Sequence, residues 1–224
     1  MKKRIFIFAL TSLIGCLTVA QDIHFSQFYQ SPLQMNPSLA GAIGGFHRIH
    51  LNYRNQWASV GSPFKTVAAS YDAPLMREQW NGGFLGAGVH VYSDKAGDSN
   101  MGTMYVAGSL SGHIVAGEGH IISAGYQVAY VQRSVSYDAL YWDNQFQNGN
   151  FDPTLPTGET QWNTRHSFLD MGAGVSWSYA RDDAMISSGD ALKLNAGLAA
   201  YHFHSPQKSF REYISDTLHT RWLA

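Results

Sequence analysis

From Arg48 onward the chain alternates. Ile49, Leu51 and Tyr53 are interleaved with Arg48, His50, Asn52 and Arg54, so an extended strand here is apolar on one face and strongly polar on the other. The same period of two sets Leu85, Ala87, Val89 and Val91 against Gly86, Gly88 and His90, and Ile122, Ala124, Tyr126, Val128 and Tyr130 against Ser123, Gly125 and Gln127. It is longest where Leu169, Met171, Ala173, Val175, Trp177 and Tyr179 alternate with Asp170, Gly172, Gly174, Ser176 and Ser178. That run has roughly the ten-residue length with which a tilted strand crosses a bilayer. Weaker alternation marks Lys65 to Tyr71, Met101 to Gly112 and Leu192 to His204. The spacing predicts about seven strands, with an eighth starting near Leu218.

Alternation alone does not say which face is inside. The apolar faces are the core of a soluble sandwich or lipocalin-like barrel if they point inward, and the lipid surface of a membrane barrel if they point outward. The opposite faces decide the expectation. They carry Gly, Ser, Asn and His with few Lys or Glu, which suits a crowded polar lumen better than a solvated surface. Aromatic residues close several apolar faces, as in Tyr53 with Trp57, Tyr126 with Tyr130 and Trp177 with Tyr179, in the manner of an interfacial girdle. Charged residues are sparse at 14% and aromatic residues reach 13%. The expected fold is an all-β, antiparallel transmembrane β-barrel of the outer-membrane type, with about 7–8 strands present and closure incomplete. A net charge of −1 gives no basic field for nucleic acid.

The start of the chain reads as a leader. Met1 to Arg4 is basic, Ile5 to Leu17 apolar, and Thr18-Val19-Ala20 a small-residue cleavage site, so residues 1–20 are expected to be a signal peptide cleaved near Ala20. Leu13-Ile14-Gly15-Cys16 also has the order of a lipoprotein box, a competing reading. Cys16 is the only cysteine, so cleavage after Ala20 leaves no disulfide, thiolate redox site or thiolate metal site. No linker interrupts the remainder. Residues 21–224 are expected to form one barrel domain, preceded within it by a periplasmic or lumenal segment, 21–43.

Connection lengths bear on topology. With a periplasmic N-terminus, the short turn Ala116 to Gly119 and the long connection from about Tyr137 to Arg165 fall where a barrel wants short and long loops, whereas Pro74 to Asn81 is longer than a minimal turn. The strand count leaves the closing pair unfilled, so either the domain is a fragment or another chain completes it.

Several residues invite chemistry. In the opening segment Pro32 and Pro37 interrupt any continuous helix and Asn36-Pro37 favours a turn. This segment either plugs the lumen or meets a periplasmic partner, and Phe25, Phe28, Tyr29, Asn36 and Pro37 are its candidate contact residues. Arg48 and Arg54 lie on the polar face of the first strand, where they are expected to pair with carboxylates such as Asp170 in a lumenal network. His202 and His204 share a strand face at a spacing compatible with metal ligands, but no carboxylate lies close in sequence to complete a set, so no metal is expected. His47 and His50 fall on opposite faces. Asp143, Asn144, Asn148, Asn150 and Asp152 surround Gly149 with oxygen donors, yet the spacing is not that of an EF-hand and reads as turn chemistry. Tyr141, Trp142 and Phe146 in the same connection are aromatic anchors suited to protein binding. Neither a Gly-x-Ser-x-Gly elbow nor a His-Glu-x-x-His motif occurs, and no enzymatic activity and no cofactor are expected.

The segment Asp22-Ile23-His24-Phe25-Ser26-Gln27-Phe28-Tyr29-Gln30-Ser31-Pro32-Leu33-Gln34-Met35-Asn36-Pro37-Ser38-Leu39-Ala40-Gly41 resembles the opening of the PorP/SprF family. Tyr53-Arg54-Asn55-Gln56-Trp57, Ser70-Tyr71-Asp72-Ala73-Pro74, Tyr141-Trp142-Asp143-Asn144-Gln145-Phe146 and Gly197-Leu198-Ala199-Ala200-Tyr201-His202-Phe203 extend the resemblance over nearly all of the mature chain. It implies an outer-membrane component of type IX secretion and gliding motility. The implied role is assisting export or surface attachment of a particular partner, such as an adhesin, through protein contacts. The implied partners are type IX secretion components, the exported protein and outer-membrane lipid, with no nucleic acid. A passive channel for small solutes is the alternative. Relatives are usually longer, which makes this chain an apparent C-terminal truncation.

Overall fold

The computed structural model describes residues 28–59, 61–80, 82–97, 99–137, 140–147, 149–158, 164–180, 193–210 and 216–224. The expected leader and Phe25 lie outside them. Ten strands follow: β1 (Arg48–Gln56), β2 (Phe64–Leu75), β3 (Gly83–Ala96), β4 (Met101–Val115), β5 (His120–Ser134), β6 (Phe146–Gln147), β7 (Asn150–Phe151), β8 (Arg165–Ala180), β9 (Lys193–Tyr201) and β10 (Arg221–Leu223). Eight of them form one antiparallel sheet in the order β1-β2-β3-β4-β5-β8-β9-β10, curled into a half-barrel, while β6 and β7 make a separate small hairpin. Among the described residues no pairing joins β1 to β10, and the sheet keeps two edges. No described helix is long and apolar enough to cross a membrane.

The alternation is inside-out. Leu51 is 78% exposed, Leu110 67% and Ile114 64%, whereas Thr66 and Asp72 are 0% exposed and Gln127 and Asp170 1%. A soluble barrel would show the reverse, because burying polar groups while wetting apolar ones opposes folding in water. Strands of nine residues (β1) to sixteen (β8) with this facing suit a lipid-contacting wall around a polar lumen.

Register stacks the inward positions in layers. Arg48, Asp72, Gly88, Ser109, Gln127, Gly172, Tyr201 and Arg221 are successive partners across the whole sheet. The next inward layer toward the long β5–β8 connection runs His50, Ser70, His90, Ala107, Ala129, Asp170. Tyr105 and Val131 of the layer beyond join Ala107 and Ala129 in a small apolar cluster against which Tyr92 and Phe168 pack.

Two elements differ from the sequence expectation. β2 continues through Pro74 to Leu75, because the β1 pairing ends at Asp72 and Pro74 has only β3 beside it, where a missing N–H is tolerated. β9 stops at Tyr201, and His202 adopts φ 57°, so His202 and His204 do not share a strand face.

Candidate functional site: a plugged polar lumen

The segment from Ser31 to Gly41 fills the lumen. Pro32 opens a helical turn, Pro32–Met35, and Pro37 a 3-10 turn, Pro37–Leu39, each at the position where a missing N–H is harmless. Between them Asn36 is extended, and its Oδ1 accepts from the backbone N (2.9 Å) and Oγ (2.7 Å) of Ser38. Its Nδ2 donates to the carbonyls of Val175 (3.0 Å) and Leu198 (3.3 Å), on β8 and β9.

Other wall strands hold the rest of the plug. Tyr201 Oη donates to Leu33 O at 3.2 Å and Ser111 Oγ to Ala40 O at 2.6 Å, while Ser38 Oγ, whose proton goes to Asn36, accepts from Ser176 Oγ at 2.8 Å. His113 Nε2 lies 2.8 Å from the same carbonyl, so this nitrogen carries the proton, and Nδ1 then accepts from Ser123 Oγ at 2.7 Å.

Space for the plug comes from inward-facing glycines. A Cβ at Gly86 would run into Ala40 O, one at Gly125 into the Pro37–Ser38 backbone, and one at Gly174 into Asn36 Oδ1. At Gly88 it would lie 2.8 Å from Leu33 Cδ1. The residues that read in sequence as the polar half of an alternation are thus a seat shaped to a backbone.

Charges in the lumen pair locally. Arg48 grips Asp72, its register partner, through Nε–Oδ1 (2.9 Å) and Nη2–Oδ2 (2.7 Å), and Nη2 also donates to Leu39 O. Gly41 N donates to the same Asp72 carboxylate at 2.8 Å, so one ion pair ties β1 and β2 to the plug's end. Arg54 donates to Thr66 and lies 4.0 Å from Asp94. Asp170 instead accepts from His202 Nδ1 at 2.8 Å. The expected pairing of Arg48 and Arg54 with Asp170 does not form, because Asp170 sits on β8, across the sheet from β1, and nearer carboxylates take both arginines.

The plug divides the lumen. One cavity, of 870 Å³, is bounded by plug residues Met35, Asn36 and Leu39 and by Arg77, Phe84 and Lys193 at the short-turn end. A second, of 610 Å³, opens toward the β5–β8 connection and is lined by Arg54, Tyr92, Asp94, Arg133, Phe168 and Asp170, among others.

The β5–β8 connection carries an aromatic patch. Tyr141 is 72% and Phe146 51% exposed, and both rings contact Phe151, at centroid distances of 4.8 and 5.4 Å. Trp142 is only half-exposed and starts the 3-10 turn Asp143–Gln145, whose Gln145 Nε2 donates to Leu155 O at 3.2 Å. The Thr154 hydroxyl (2.6 Å) and backbone N–H (2.9 Å) donate to Asp152 Oδ1, holding its carboxyl below the ordinary carboxylate value. Asn144 turns its amide to Thr157 O. Of the oxygen-bearing residues around Gly149, Asp152 and Asn144 are thus engaged in the loop's own hydrogen bonds, and Asn148 lies outside the described residues. Among those residues no three His, Cys, Asp or Glu side chains converge as a metal set. His202 and His204 diverge, the latter bonding Leu169 O.

Of the candidate contact residues, Phe28 and Tyr29 are exposed at the plug's start, and Asn36 and Pro37 are buried within the lumen, against its wall. Sequence reasoning missed Asp72 as Arg48's partner, Phe151 in the patch, and the glycine seat. The recurrence of Gly at inward positions of β3, β5, β8 and β9 was the available signal.

No curated protein and no solved structure matches the chain. The family profile described as type IX secretion system membrane protein PorP/SprF matches residues 18–221. In a chain ending at Ala224 that match lends no support to the expected C-terminal truncation. With its inside-out curled sheet and polar, plugged lumen, the chain belongs to the PorP/SprF family of type IX secretion system membrane proteins.

Proposed function

We propose that this protein is a non-enzymatic outer-membrane component that helps a type IX system export or anchor a specific adhesin-like surface protein, and that it works by protein contact. The observation that carries this reading is the exposed Tyr141–Phe146–Phe151 patch on the longest connection of a membrane-facing sheet. Aromatic side chains held together on a surface bring large contact area at low entropic cost, which is how interface hot spots are made. With the N-terminus periplasmic, this connection faces the cell exterior.

The seated plug favours this reading over a passive solute channel, since Asn36, Leu39 and Ala40 occupy the lumen between the two cavities. A photo-crosslinking residue at Phe146 is expected to trap the exported partner in cells, and Tyr141→Ala with Phe146→Ala to lower partner capture about tenfold or more. Unchanged export and no crosslink, with the barrel still in the outer membrane, would sink the proposal. Open-channel conductance of the isolated protein in planar bilayers would support the channel reading instead.

A further inference from the structure

We propose that the 610 Å³ cavity beside the long connection binds a neutral saccharide. Asp170 lines this cavity and is 1% exposed. His202 Nδ1 engages its Oδ1 at 2.8 Å, while Oδ2 has no partner among the described residues. A buried carboxylate oxygen left unmet is costly, so the site calls for a ligand that donates a hydrogen bond there.

The remaining lining narrows the chemistry. Tyr92 and Tyr105 stack with centroids 4.7 Å apart at 7°, and Phe168 and Val131 adjoin them, giving the cavity an aromatic and apolar wall. Around it stand donors of fixed charge, Arg54 and Arg133, and a second acceptor, Asp94.

An anion that approached the arginines would also face Asp94 and the free oxygen of Asp170. A cation drawn to Asp170 would meet Arg54, Arg133 and Lys208, which line the same space. An apolar ligand would leave Asp170 unmet. Hydroxyl groups donate and accept together, and a sugar ring adds C–H groups that pack against aromatic and apolar side chains. The cavity falls within the roughly 300–1,000 Å³ of ligand pockets. The saccharide is either free or the glycan of a surface glycolipid.

Saturation-transfer difference NMR on the full chain in nanodiscs tests this, with maltose, cellobiose and N,N′-diacetylchitobiose as probes and glucuronate and glucosamine as charged counterparts. Transfer to the ring C–H protons of at least one neutral disaccharide is expected, falling about tenfold in Asp170→Asn and in Tyr92→Leu. If Asp170→Asn does not fold, Tyr92→Leu carries the comparison. No transfer to any neutral probe, transfer unchanged in the folded variants, or stronger transfer to a charged counterpart overturns the proposal. A second arm adds lipopolysaccharide to the nanodisc. Loss of the disaccharide signal there identifies the lipid-linked glycan as the ligand and persistence identifies free sugar, and either upholds the site. Tyr92→Leu is expected to leave partner capture at Phe146 intact, so the two proposals fail separately.

Discussion

Asn36 lies against Gly174 so closely that β8 has no room for a side chain at that inward position. The contact joins the plug to the wall where Asn36 also bonds β8 and β9. Gly174→Val is therefore expected to unseat the plug and destabilise the protein by about 1–3 kcal/mol, the usual range for overpacking. A lower midpoint for the heat-induced gel shift, together with raised bilayer conductance, checks this. Gly108→Val is the control, since Gly108 is exposed on β4 with nothing within 4 Å of its missing Cβ.

Asp72→Asn is expected to cost about 3 kcal/mol or more, because it leaves the Arg48 guanidinium without its counter-charge in a largely buried site. Urea unfolding in detergent micelles measures the loss. The double variant Arg48→Met with Asp72→Leu should recover much of it, since apolar replacement of a buried pair is often neutral.

The outward face of β4 gives a direct test of facing. Leu110→Arg is expected to reduce barrel assembly in lipid by about 2–4 kcal/mol, the penalty for a cation on the lipid side near the midplane. Folding into liposomes at graded urea reads it out, and indifference to the substitution would mean that this face does not meet lipid.

The turn closing the β6–β7 patch has a defined acid limit. The bonds from Thr154 favour ionised Asp152, so its carboxyl titrates below the ordinary value of 3.8. Their contribution is fully present above that value and disappears as pH falls through the lowered one. Trp142 fluorescence is expected to stay constant at neutral and mildly acidic pH and to change only below 3.8. Thr154→Val moves the change upward in pH.

The wall was legible in the sequence and its closure was not. A period of two with aromatic ends and glycine, serine and histidine between gave the strands and their inward faces, because strand geometry imposes alternation residue by residue. What local pattern does not encode is which distant residues meet. Asp72 and Asp170 look alike in sequence, and only register gives Arg48 to the first and His202 to the second. The two outcomes open for the opening segment, plug or contact surface, divide within it, since Asn36 and Pro37 enter the lumen while Phe28 and Tyr29 stay exposed. Phe151 fell outside the expected patch because it reaches Phe146 only once the β6–β7 turn has formed.

The plug also sets when the barrel can be finished. Asn36 meets Leu198 across 162 positions of the chain, and Leu33 meets Tyr201 across 168. The plug, made before every strand of the wall, thus completes its bonds only after the last long strand has arrived, and contacts of such sequence separation slow folding by the entropy of the loops they close. Until then its carbonyls and the serines and histidine of the wall need water or a chaperone. Assembly of this protein is accordingly expected to be slow and to depend on whatever guards the unassembled chain.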